Sequence, residues 1–105
     1  MAIVKQVTTT CIYNRCNQIL GDRGVEYESN GTQERSFQSV ADCFNAKTGM
    51  NLTAAHICLI LSDLKDVRQF SQDRLHEDSV IDGVNYKALM GVELYKQYNT
   101  NEIGR

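Results

Sequence analysis

Apolar side chains recur at helical spacing in four stretches of this chain, and glycines and capping residues stand between them. Ile12, Cys16, Ile19 and Leu20 fall at i, i+4, i+7 and i+8 and predict a first helix over about Thr10 to Asp22, with Gly24 as its stop. Arg23 to Gly31 is rich in turn formers without apolar period, which predicts an exposed connection. Phe37, Val40, Ala41 and Phe44 share one face of a second helix near Glu34 to Lys47, which makes both phenylalanines core residues and Gly49 the C-terminal stop. Thr53 is placed to cap the most apolar segment, where Ile57, Ile60, Leu61, Leu64 and Val67 form a wide stripe suited to the centre of a bundle. A polar connection from Ser71 to Glu77 leads to a last helix capped by Asp78 or Ser79, with Ile81, Val84, Ala88, Val92 and Tyr95 at nearly heptad spacing. The predicted fold class is all-α, a compact bundle of about four helices.

Composition narrows the class further. With 105 residues the chain has the size of a single helical domain over its whole length. It contains no proline, so nothing interrupts long helices. A formal charge of -2 excludes the bulk basic character of a protein that coats nucleic acid. The longest apolar run, Ile57 to Leu61, falls far short of the roughly 18 residues that cross a bilayer. No export signature opens the chain, and the expectation is a cytoplasmic protein that binds no membrane. A short bundle buries a modest core, so a homo-oligomer covering Met50, Leu89, Met90 and Leu94 is expected. The cysteines, Cys11, Cys16, Cys43 and Cys58, include no Cys-x-x-Cys pair, and His56 and His76 lie far apart, which reads as small buried thiols rather than a zinc site.

Candidate chemistry concentrates between Asp63 and Asp82, a stretch dense in ionisable side chains. Asp78, Asp82 and Tyr86 follow at steps of four on the last helix, and Lys65 and Arg68 lie on the helix before it. If the two helices run antiparallel, the cations meet the carboxylates. Two readings follow. In one, Lys65 and Arg68 bind phosphate oxygens while Asp78 and Asp82 orient them or hold a hydrated Mg²⁺. In the other, the same residues are an ion-pair network that fixes helix packing. His76 stands on the connection as a base or ligand, or as a cap for a neighbour. Lys5, Lys47 and Lys87 are read as solvated charges.

Arg23-Gly24-x-x-Tyr27, Leu52-Thr53, Lys65-x-x-Arg68 and His76-x-Asp78-Ser79-x-x-Asp82-x-x-x-Tyr86-x-Ala88 together resemble a family of small uncharacterised all-helical proteins of phages and prophages. That family is distantly similar to the MazG-like nucleotide pyrophosphohydrolases, which hold Mg²⁺ against a triphosphate with helix-borne acids. The resemblance implies a helical fold and a nucleotide-type ligand. It departs from the pattern at Glu28 and Asn85, and it offers only Asp63 with Asp66 as an acid pair at i, i+3. The expectation is a module that binds a nucleotide or other phosphorylated small molecule through Lys65, Arg68, His76, Asp78, Asp82 and Tyr86, with Arg23 and Tyr27 closing over it. Two alternatives stand beside it: a protein that docks on a host protein, such as an immune or transcription complex, and a Mg-dependent nucleoside triphosphate pyrophosphohydrolase.

Overall fold

In a computed structural model the chain forms four helices, α1 (Thr9–Ser29), α2 (Phe37–Thr48), α3 (Ala54–Phe70) and α4 (Glu77–Gln97), and the fold is all-α as expected. The structure describes residues 6–29, 36–99 and 103–104, with side chains described over 6–21 in the first of these stretches. The chain divides into two units, Met1–Glu34 with α1 and Arg35–Arg105 with α2, α3 and α4.

Thr8 opens α1: its hydroxyl accepts from the Cys11 amide at 3.3 Å, and its carbonyl accepts from the Ile12 amide at 3.2 Å. The helix continues through Gly24 to Ser29, so the connection expected at Arg23 to Gly31 is helical over most of its length. A glycine ends a helix by turning left-handed, and Gly24 keeps the helical conformation. A helical glycine costs about 1 kcal/mol relative to alanine, which a stretch free of proline tolerates. The side chains of Arg23, Glu26, Tyr27 and Glu28 lie outside the described residues, as does Lys5.

In the second unit α2 ends where expected. Gly49 adopts φ 74° and returns its amide to the Asn45 carbonyl at 2.8 Å. Phe37 and Ala41 are buried, but Phe44 is 42% exposed, which corrects its assignment to the core. The inward positions are Phe37, Ala41 and Asn45, in steps of four. The Asn45 amide fills the third place by accepting from the Leu52 amide and donating to the Leu52 carbonyl, both at 2.8 Å.

Thr53 caps α3 as expected, and His56 completes a reciprocal box. The Thr53 hydroxyl accepts from the His56 amide at 3.3 Å, and the Thr53 amide donates to His56 Nδ1 at 2.9 Å. This helix packs on both α2 and α4 and is the centre of the unit. Its buried side, however, is Ala54, Ala55, Ile57, Cys58 and Ser62, while Ile60, Leu64 and Val67 from the expected stripe stay exposed. Apolar residues surround α3 almost completely, and the neighbours close on the arc where side chains are small. The same preference governs α4, whose buried residues are Ser79, Ile81, Gly83 and Asn85, with Val92 and Tyr95 left outside. α4 starts at Glu77 with His76 as its N-cap, earlier than expected, and the His76 carbonyl accepts from the Ser79 and Val80 amides at 3.0 and 3.3 Å.

The apolar core gathers Phe37, Ala41, Ala54, Ile57 and Cys58, with Leu52, Leu61, Tyr86, Leu89 and Met90 packed around it. Leu89 and Met90, expected on a self-association surface, thus face this core. Among the described residues no helix is long and apolar enough to cross a membrane.

Candidate functional site

The seam between α3 and α4 is a series of small contacts. Ser62 Oγ donates to the Gly83 carbonyl at 3.2 Å, a buried hydrogen bond that links the two helices directly. Around it the backbones approach closely enough that a Cβ on Gly83 would stand 3.5 Å from Lys65 Cβ and 3.8 Å from Asp66 Oδ1. One turn along, Lys65 Nζ meets Asp82 Oδ2 at 3.2 Å, with the two side chains 15% and 12% exposed. The antiparallel course of α3 and α4 expected from the sequence brings this cation and this carboxylate together.

The other expected site residues have separate environments. Tyr86 turns into the core, edge-on to Phe37 with ring centroids 6.5 Å apart. His76 is half-buried with Nδ1 2.6 Å from Ser79 Oγ, so its ring is engaged with the first turn of α4. Arg68 and Asp78 are exposed, the former at the end of α3 and the latter in the first turn of α4. Arg23 and Tyr27 lie outside the residues whose side chains are described. Asp82 is paired with Lys65, Asp78 is exposed, and among the described residues no group of three or more His, Cys, Asp or Glu side chains gathers.

The connection between α3 and α4 is held by Gln69, which sequence spacing did not single out. Its side-chain amide donates to the Arg74 carbonyl at 2.8 Å, and its Oε1 accepts from the His76 amide at 2.7 Å. Gln72 Nε2 and Ser71 Oγ donate to the Arg68 carbonyl at 2.7 and 3.2 Å, closing the end of α3.

Beside the seam lies a cavity of about 360 Å³ walled by Ser62, Asp66, Gln69 and Phe70 of α3 and by Ser79, Val80, Gly83, Val84 and Lys87 of α4. Neither Lys65 nor Asp82 lines it. A step of one residue turns a helix by 100°, so the ion pair faces one flank of the seam while Asp66 and Gly83 turn toward the other. Of the cavity's charged side chains, Asp66 entered the sequence reading only as half of an acid pair, and Lys87 only as a solvated charge. The signal that finds them is a stripe of small and polar residues: Ser62, Asp66 and Gln69 on α3, and Ser79, Gly83 and Lys87 on α4, each set at steps of three or four. A second hollow, of about 270 Å³, lies between Gln38, Thr53 and the end of α4, where Glu93 and Lys96 pair with each other at 3.3 Å.

None of the four cysteines is in a disulfide. Cys16 and Cys58 are buried as expected, whereas Cys11 and Cys43 are exposed. Burial pushes the Cys58 thiol up to about 11, with the Glu93 carboxylate adding to the effect, and leaves it an inert core group at neutral pH. The Thr8 hydroxyl lowers the Cys11 thiol from its ordinary value.

No curated protein and no solved structure matches this chain. Residues 11–93, most of its length and spanning α1 to α4, match a domain of unknown function, and the chain belongs to that family, DUF6378.

Proposed function

We propose that the protein is a binding module for a nucleotide or another phosphorylated small molecule, seated in the cavity between α3 and α4. The observation that supports this reading best is the cavity's wall. It places a cation, Lys87, and a carboxylate, Asp66, around an apolar side made by Phe70, Val80 and Val84. At about 360 Å³ it falls in the range of ligand sites, whose walls are mostly apolar with a few placed polar groups. Ser62, Ser79 and Gln69 are engaged by hydrogen bonds inside the protein, so Asp66 and Lys87 are the side chains that present charge to a ligand. Lys87 serves a phosphate as a point charge, Asp66 accepts from ribose hydroxyls or a base amine, and Phe70 offers a face to a flat ring. This reading keeps the ligand class that the sequence led to and moves the contact from Lys65 and Arg68 to Lys87. Lys65 and Asp82 then serve as the pin that holds the cavity's two walls in place.

Calorimetric titration against a panel of nucleoside mono-, di- and triphosphates and cyclic nucleotides tests it. The expected result is binding of at least one, weakened about tenfold or more by Lys87→Ala, the equivalent of about 1.4 kcal/mol. Arg68→Ala leaves that binding unchanged. A panel without heat, or equal affinity after Lys87→Ala, overturns the proposal.

A further inference from the structure

The buried side of α3 leaves an apolar edge on the opposite side of the same helix. Ile60, Leu64 and Val67 are 51%, 41% and 64% exposed, and the steps between them are four and three. That is the d, a, d pattern of a heptad seam. The residues that flank it are charged and of opposite sign: Asp63 precedes Leu64 in position g, and Arg68 follows Val67 in position e, both exposed. In two parallel helices a g residue of one faces the e residue five places further along the other. Asp63 and Arg68 are separated by that interval, so a second copy of the chain lying parallel on this edge meets each acid with the other's guanidinium, twice by symmetry. An antiparallel pairing sets g against g and e against e and would oppose like charges.

We propose that this edge of α3 is the docking surface for a second copy of the same chain, forming a twofold dimer through a short parallel seam of Ile60, Leu64 and Val67 bordered by Asp63–Arg68 ion pairs. Within the second unit α2 and α4 pack on the opposite side of α3, where Ala54, Ala55, Ile57, Cys58 and Ser62 are buried. The surface differs from the one expected from the sequence, which is Met50, Leu89, Met90 and Leu94. The dimer does not depend on the cavity, whose α3 wall of Ser62, Asp66 and Gln69 lies on another arc of the helix.

Sedimentation velocity over a concentration series, with far-UV circular dichroism to verify folding, reads the outcome. The expected result is a reversible dimer that Asp63→Arg and Arg68→Asp each shift at least tenfold toward monomer and that the double exchange restores. In a Cys11→Ser, Cys43→Ser background, Leu64→Cys should cross-link to its own copy under mild oxidation, because an a residue faces itself across a parallel twofold seam. A monomer at every concentration overturns the proposal. So does a dimer indifferent to the single exchanges, a double exchange no better than either single one, or capture of an unrelated protein on this edge with no self-association.

Discussion

Lys65 and Asp82 form a largely enclosed ion pair, and their exposure decides what removing one member does. An exposed pair contributes under about 1 kcal/mol, while breaking a buried one costs about 3–5 kcal/mol because the remaining charge stays desolvated. At 15% and 12% exposure the pair lies between these limits. Lys65→Ala should cost about 1–3 kcal/mol in urea denaturation. The double change Lys65→Met with Asp82→Leu should recover most of that loss, since it removes both charges and keeps the packed volume. If the double variant is no more stable than Lys65→Ala, the charge is not what the seam depends on. Cys58 gives a pH dependence of known sign. Its folded thiol keeps the proton up to about 11, while an unfolded thiol loses it near its ordinary value of 9.0. Between those values the unfolded chain binds fewer protons, so this contribution is fully present below the lower value and is lost as pH rises toward the upper one. Thermal unfolding followed across that range should show a steeper decline for the native chain than for Cys58→Ala, although the variant starts from lower stability.

At the scale of elements, the end of α2 and the start of α3 were legible because their signals are local, whereas Gly24 did not stop α1 and α4 began before Asp78. Gly49 and Thr53 act as their residue types predict, the first by adopting a left-handed φ and the second by accepting a first-turn amide. His56 extends that logic, since its Nδ1 takes the place of the glutamate or glutamine that usually closes a capping box. His56→Ala should destabilise the protein by about 0.5–1 kcal/mol in chemical denaturation, and His56→Gln, which restores an acceptor, should recover most of it. Equal losses in the two variants would show that the box contributes nothing. The buried faces were far less legible. On α3 apolar residues occupy nearly every arc, so periodicity marks a helix without saying which side its neighbours choose. They chose the small residues, and Ile60, Leu64 and Val67 were left outside. The amide clamps of Asn45 and Gln69 carry no spacing signature, because each reaches a backbone group fixed only once the chain has turned. Within the site, Lys65 with Asp82 followed from antiparallel helices alone. Tyr86 went to the core because an aromatic ring gains more beside Phe37 than at a polar rim.

For the whole molecule, the balance between core and surface sets what the protein is suited to do. Among the described residues, the large side chains of the core are only partly enclosed, and Cys58 is the largest fully enclosed one. Cohesion in the second unit therefore rests on close helix approach as much as on apolar volume. The Ser62–Gly83 hydrogen bond and the Lys65–Asp82 pair lie within one turn of each other on α3 and on adjacent residues of α4. A slip of one helical turn, about 5.4 Å, would break both together. Any sliding of this hairpin therefore has to undo both contacts at once, so they act as two rivets through one seam.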